Sequence, residues 1–418
     1  MMLSFKLSET QEMITTHAGL AFVGELYEYL HLDSLVNFYL PQPGSAKGYP
    51  PNHFVFPLVL MMIGGGEALA HTRQIKDDTC LNTLLNLSAI PDSGTIGDWL
   101  VRMYFKGYEG LNSVNGQLNH KILKDDPHTI YTFDPDATEI ESHKQLAKIT
   151  YKGNPGYMPM LANLAEIPLW LVDDFREGNV PPQAQALPFL DKAFERMPAG
   201  KRSGFLRSDS AWYQAAIFNR CEEKGIIFGI TADQDSSVKE AIARIQNWQP
   251  VRNKDGFLTD RLWGETIHCM THTKEAFRLI AQCWKNPRRK LPTDAEYCYH
   301  AIATNSSEPA QSVITWHNGR ASSENYNKEI KLGFGMGHLP CGDFGANAMY
   351  FRIGVLAYNL MVAMKYLILP KENSRQTIKT MRWEWIETAG KLIHHGRQWI
   401  LKLAQGSGNL IRWWHDFR

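Results

Sequence analysis

Four residues in the last third of the chain fall at spacings that would let them act together. They are His317, Arg320, Glu324 and Lys331, in the order His-x2-Arg-x3-Glu-x6-Lys. At about 100° per residue, positions 320, 324 and 331 fall at about 0°, 40° and 20° around a helix axis, and His317 near about 60°. One helical stripe then presents a carboxylate flanked by fixed cations. A carboxylate takes a hard divalent ion such as Mg²⁺, and Arg and Lys take phosphate. The spacing predicts metal-dependent chemistry on a phosphodiester, with Arg320, Lys331 and His317 as the phosphate-positioning residues.

Two acidic blocks lie upstream. Asp134-x-Asp136-x-Thr138 follows the β-rich run His128–Phe133, and Arg207-Ser208-Asp209-Ser210 follows the strand-like Phe205–Ser208. Strand side chains alternate, so Asp134 and Asp136 point the same way if the first strand continues through them. Carboxyl ends of strands are where α/β sheets place their sites. Clustered carboxylates raise one another's pKa unless cations neutralise them. Two Mg²⁺ ions about 3.5–4 Å apart would do so, one activating a water or 3′-OH and the other stabilising the leaving oxygen. The predicted catalytic and metal-ligating set is Asp136, Asp209 and Glu324, with Asp134 an equal claimant for the first position. Each residue has an ordinary alternative. A strand-end Asp forms turns, Asp209 caps the helix that follows, and Glu324 and Lys331 decorate a solvated helix face. Their joint order and spacing favour the chemistry.

The elements that must position these groups read as an α/β core. Ile167–Val172, Phe205–Ser208 and Ile226–Ala232 are predicted strands, with a helix over Trp212–Lys224. The spacing predicts helices over Arg320–Leu332 and Asn347–Leu369. Residues 1–125 read as helical, a DNA-binding or dimerising region or a plain scaffold, with Ser93 and Thr95 suited to N-capping. Residues 126–370 form the expected catalytic domain. Within it, about 234–310 read as a β-rich insertion with strand-like Thr266–Thr271, Phe277–Trp284 and Tyr297–Thr304. Residues 371–418 read as a basic, aromatic helical tail.

The chain has 418 residues, 44% hydrophobic and 11% aromatic, with a net charge of +1. That is a globular composition, long enough for two or three domains. Any affinity for nucleic acid must come from local patches. Lys285, Arg288, Arg289 and Lys290 form one, and Lys391, Arg397 and Lys402 another. Trp263 and Trp284 are candidates for stacking on a DNA base, or core fillers of the insertion. Six scattered cysteines without metal-ligand spacing read as reduced thiols of a cytosolic protein. The N-terminus lacks an apolar leader. Phe54–Ile63 is too short to span a bilayer, and Arg352, Asn359 and Lys365 interrupt Tyr350–Leu369, so no membrane role is expected.

These residues together resemble bacterial insertion-sequence transposases of the DDE class, which have an RNase-H-like core interrupted by a β-rich insertion. That group's Tyr-x2-Arg-x3-Glu-x6-Lys signature matches at Arg320, Glu324 and Lys331, with His317 in place of the Tyr. Its first Asp lies in an Asp-x-Thr motif, matching Asp136-Ala137-Thr138, and its second matches Asp209. Also similar are Tyr151–Pro159, Glu177-Gly178-Asn179, Asn325–Lys331, Leu339–Asn347, Leu356–Leu360 and Ala389–Arg397. The resemblance covers about residues 130–400 and continues more loosely into the N-terminus. It implies cut-and-paste transposition at terminal inverted repeats by a homodimer on double-stranded DNA. Mg²⁺ would be the cofactor, Mn²⁺ a substitute, and the bacterial nucleoid the location. Some relatives pass through a hairpin at the transposon end. The other readings are a transposase-derived DNA-binding protein without cleavage, and an RNase-H-like nuclease without strand transfer.

Overall fold

The structure, a computed structural model, describes residues 6–253, 255–290 and 295–417. Most of the segment read for a leader, Met1–Phe5, lies outside them. Two compact units divide the chain: a central one, residues 123–328, and a discontinuous one, residues 1–122 with 329–418. Residues 329–370, expected within the catalytic domain, fall in the discontinuous unit. Their long helix, Phe344–Leu367, instead packs within the discontinuous unit against the helix Asn52–Ile63. It is buried from Gly345 to Lys365, so it is apolar nearly all round rather than amphipathic. Its Arg352 is accommodated because the guanidinium lies over the Tyr108 ring and donates to the Tyr108 carbonyl at 2.7 Å.

The central unit is built on one nine-stranded sheet. Its first strands are β1 (Ile130–Ala137), β2 (Met160–Leu164), β3 (Trp170–Asp174), β4 (Arg202–Ser208) and β5 (Ile227–Thr231). They lie in the order β3-β2-β1-β4-β5. β1, β4 and β5 run parallel, and β2 is antiparallel to both β1 and β3. Helix α1 (Ala186–Glu195) precedes β4, and α2 (Ala215–Lys224) makes the crossover from β4 to β5. This is the expected mixed α/β, RNase-H-like core. Tyr131, Thr132, Phe133 and Asp134 of β1 are all buried, as a strand covered on both faces requires.

After β5 come α3 (Ser236–Ala243), β6 (Gln249–Arg252), β7 (Leu258–His268), β8 (Phe277–Lys285) and β9 (Tyr297–Thr304). This is the predicted insertion, but it is not a separate sheet. β9 pairs antiparallel with β5, Ile302 opposite Thr231, and the order β6-β7-β8-β9 simply extends the core. Helices α4 (Ala310–Asn318) and α5 (Ala321–Gly333) follow. Ala310, Val313 and Ile314 of α4 pack on Ile280 and Ile302, with Trp263 against the same cluster.

The motif Tyr151–Pro159 also gains a shape. Residues 140–157 form a small three-stranded sheet between β1 and β2. Gly178 sits against the carbonyls of Gly156 and Lys148, where a Cβ would overlap both. That close approach explains the glycine in Glu177-Gly178-Asn179, and a Cβ at Gly156 would likewise overlap the Ile140 carbonyl.

The C-terminal tail, expected to be helical, is helical in short turns from Lys371 to Ile386 and over Gly408–Phe417, with strands between. Gly390–His395 and Gln398–Leu403 pair as a hairpin, with Ile14–Thr15 alongside. Its turn residues Gly396 and Arg397 both have positive φ, 58° and 63°. That is the geometry of a tight type I′ turn, which Gly favours and which matches the strand twist. Only Gly408–Phe417 is helical beyond it. Among the described residues, no helix is long and apolar enough to cross a membrane.

Candidate active site

The site forms where β1 and β4 part. Parallel pairing between them runs only to Phe133 and Leu206 on their β1–β4 register, while β1 continues to Ala137 against β2 alone. Pro135 is tolerated there because a residue without an N–H suits a strand that has lost one neighbour. Beyond the divergence, Asp136 and Asp209 stand at the two strand ends.

Asp134 and Asp136 are two residues apart on one strand, but the structure gives them different work. Asp134 is 1% exposed and takes a forked pair of hydrogen bonds from Arg207, at 2.8 Å from Nε and 2.5 Å from Nη2. Arg207 also donates to the Trp316 carbonyl at 2.7 Å. Asp134 is therefore a buried structural partner, and its claim to the first catalytic position lapses. Asp136 accepts a hydrogen bond from Asn327 Nδ2 at 2.7 Å. Burial pushes Asp136 up to about 7, and the Asp209 carboxylate adds to the rise. Arg320 opposes it and Glu324 adds a little more. Asp209 is likewise raised, chiefly by burial, with Arg320 opposing. One of its oxygens accepts from the Ala211 N–H at 3.1 Å, so it does cap the short 3₁₀ turn Ser210–Trp212. The second oxygen is left for chemistry.

Glu324 lies in the first turn of α5, largely exposed, and Arg320 Nη2 is 3.3 Å from its Oε1. Arg320 thus touches the third carboxylate while acting on the other two. The stripe drawn from spacing loses His317 but keeps Arg320, Glu324 and Lys331 at the start of and along α5. α4 ends at Asn318, the chain turns through Gly319 and Arg320, and a new helix begins. Gly319 is needed at that turn because a Cβ there would overlap the Arg207 guanidinium.

The break sends His317 inward. It is 3% exposed, with Nε2 3.3 Å from the Ser208 carbonyl and 3.4 Å from Thr231 Oγ1. Burial, then the neighbouring His300, drives its pKa down to about 3. Buried and turned toward Ser208 and Thr231, the ring is not open to a phosphate, unlike the exposed phosphate-positioning role expected of it. His317 instead bonds the backbone immediately before Asp209. Lys331 lies seven residues beyond Glu324 on α5, partly exposed, in the part of the helix that belongs to the discontinuous unit.

The other predicted contacts are distributed as follows. Lys285, Arg288, Arg289 and Lys290 are exposed at the end of β8 and after it, with Arg289 4.0 Å from Glu296. Lys391 and Lys402 face each other across the C-terminal hairpin, and Lys391 bonds Glu12 at 2.6 Å. Arg397 is exposed at the hairpin turn. Trp263 is a packing residue against the α4 cluster. Trp284 is partly exposed, but the Arg261 guanidinium lies 4.4 Å from its ring centroid, so one face is occupied. Sequence reasoning did not single out Asn327 for the site, although it lay within a matched segment. Its signal was its place three residues after Glu324, one helical turn on.

The residues fit a divalent ion in kind. The donors are carboxylate and amide oxygens, the ligands hard cations take. Asn327 Oδ1 is buried without a hydrogen-bond partner beside Asp136, an acceptor that water on a bound ion would satisfy. Among the described residues, no three acidic, His or Cys side chains converge closely enough to enclose an ion on their own. Glu324 is turned toward Arg320.

The transposase DDE domain group 1 family matches residues 3–409. The chain belongs to that family. It is a DNA transposase, and the activity of its class is DNA cleavage and strand transfer. DDE transposases generally use divalent metal ions. In fold it is similar to the piggyBac transposase solved as a synaptic complex with hairpin DNA. That match has 10% identity and a TM-score of 0.50, over 90% of this chain and 82% of that one. No curated protein matches the chain.

Proposed function

We propose that this transposase moves a bacterial insertion sequence by cut-and-paste. It would act as a homodimer on double-stranded DNA at the terminal inverted repeats, with Asp136, Asp209 and Glu324 holding Mg²⁺. One observation carries the site assignment: Asp136, raised to about 7 chiefly by burial, also lies in the field of Asp209 and Glu324, so carboxylates from β1, the end of β4 and α5 act on one another. Like charges placed together on separate elements cost stability unless a cation is meant to join them.

Bound divalent ions would supply an activated water or 3′-OH and stabilise the leaving oxygen. The chain's own residues do the rest. Asn327 orients Asp136 through its amide N–H. The Ala211 N–H fixes one Asp209 oxygen and leaves the other free. Arg320 releases Glu324 and receives a phosphate oxygen in its place, a fork geometry that guanidinium matches well. The described site pairs no Ser, Tyr or Cys with a base, which supports direct attack by water or 3′-OH with no protein–DNA covalent link. The solved piggyBac complex contains hairpin DNA, which supports DNA ends as the substrate.

The deciding experiment is Mg²⁺-dependent cleavage of a duplex carrying the ends of the element that encodes this chain. Glu324→Gln should bind that duplex as wild type does and fail to cut it. Wild type that binds without cutting would establish the DNA-binding, non-cleaving alternative. Cutting without joined product would establish the nuclease alternative.

A further inference from the structure

The face of β7, β8 and β9 that carries His300 leads outward from the carboxylates, and one guanidinium on it has no acidic partner among the described residues. In an antiparallel ladder, residues opposite each other share a face and alternate along the strand. Trp263, Gln282 and His300 form one row across the three strands. The next row on the same face, two residues along, is Arg261, Trp284 and Cys298, from Leu262 opposite Cys283 and Trp284 opposite Cys298.

The inner row touches the site. The His300 and His317 rings are 5.8 Å apart, and His317 bonds the Ser208 carbonyl just before Asp209. His300 lies in the field of both Arg261 and Arg320, each of which adds to the lowering that burial begins. Arg320 in turn meets Glu324 and acts on Asp136 and Asp209. Two fixed cations therefore flank one histidine on a face that ends at the catalytic carboxylates.

Their partners differ from those of the other arginine on this face. Arg278 is satisfied by Glu265 at 2.6 Å and by the carbonyls of Ser306 and Glu308. Among the described residues, no carboxylate pairs with Arg261. Its sequence neighbour Asp260 alternates to the opposite face. What Arg261 has is the Trp284 ring, 4.4 Å from its guanidinium carbon. An indole face holds a guanidinium flat by cation–π attraction and leaves its N–H groups to fork onto an anion. Arg261 is partly exposed, so those N–H groups are reachable.

We propose that Arg261 is a second phosphate-binding guanidinium of the active site, held flat by Trp284 to receive a backbone phosphate of the DNA strand being cut. This rests on the transposase reading. It assigns the Arg261–Trp284 pair to the DNA backbone.

The test uses the full chain and the same end-bearing duplex, with Arg261→Ala and Arg261→Lys. Binding is measured against salt in a Glu324→Gln background, and cleavage kinetics in the otherwise wild-type chain. Arg261→Ala should raise KM about tenfold with kcat nearly unchanged, and lower the slope of log affinity against log salt by about 0.9, the value of one phosphate contact. Arg261→Lys should keep the slope and recover only part of the affinity, because an ammonium keeps the charge but not the planar fork. A purely structural role would not move the salt slope. If the alanine variant fails to fold, Arg261→Gln gives the same reading. Wild-type KM and salt slope in the neutral variant overturn the proposal while leaving the transposase intact. A wild-type protein that neither binds nor cuts the duplex overturns both.

Discussion

Two pairs of charged residues sit at the ends of the same two strands, and they are built on opposite principles. Asp134 and Arg207 are buried, opposite in charge and joined by a fork of hydrogen bonds at 2.5–2.8 Å. Asp136 and Asp209 are two residues further along each strand, alike in charge and mutually repulsive. The first pair is complete without a ligand and locks β1 to β4. The second is completed only by something positive that the chain does not supply in full, since Arg320 is shared with Glu324 and also acts on Asp134, Asp136 and Asp209. A strand end can thus be fixed firmly at one position and left electrostatically open at the next, which is what a site for a cation and a phosphate requires.

Substitutions at the two pairs should separate activity from stability. Asp136→Asn should lower cleavage by roughly 10⁴-fold, about 5 kcal/mol in the barrier, while the melting temperature holds or rises. Single-turnover cleavage and thermal melts on the same samples check it, and equal activity would dissolve the distinction between the pairs. At the other pair, Arg207→Met should cost about 4 kcal/mol of stability, because it strands a buried carboxylate without its partner. Asp134→Asn in the same background should restore part of that loss, as denaturant titration would show.

A smaller effect should follow from Asn327→Leu. It removes the donor to Asp136 and the orphan acceptor beside it, and should weaken divalent-ion affinity about tenfold with little change in fold, as outer-shell partners of metal ligands do. Calorimetric titration with Mn²⁺ measures this directly.

The finest comparison is in pH. A carboxyl raised to about 7 contributes stability that is present below its unfolded value of about 3.9 and is lost as pH rises through about 7. His300 and His317, lowered to about 4 and about 3, act the other way. Their contribution is present above the unfolded value of about 6.5 and is lost as pH falls toward their folded values. In chelator the two trends oppose each other. Melts of Asp136→Asn between about pH 4 and 7 should therefore rise more steeply with pH than those of wild type. Identical slopes would mean that Asp136 titrates normally. His317→Phe should leave the shape of the cleavage–pH profile near neutrality unchanged, since the ring is already uncharged there.

The local signals in the chain were strong where chemistry depends on short spacing. Phe277–Trp284 and Tyr297–Thr304 were read as strands from their β-branched and aromatic runs, and Asp136, Asp209 and Glu324 from their order along the chain. Whether the first strand runs on through Pro135 is open in the sequence, because a proline suits it only where a neighbouring strand has left. The hairpin at Gly390–Leu403 was read as helix because basic and aromatic residues alone do not fix a period, and its decisive feature is the pair of positive φ angles at Gly396 and Arg397.

By itself the sequence determined which residue types stand at the ends of β1 and β4 and at the start of α5, because those are set by local pattern and by side-chain chemistry. The tertiary structure alone decided which of them stand together and which are already paired. Asp134 and Asp136 are the same residue on the same strand, and only the arrival of Arg207 at one and of Asp209 at the other tells them apart. His317 and Arg320 share a spacing that suits one helical stripe, and only the turn at Gly319, forced by close packing on Arg207, buries the first and turns the second toward Glu324. Charge acts through distance in three dimensions, and spacing along a chain carries that distance only as far as a single unbroken element runs.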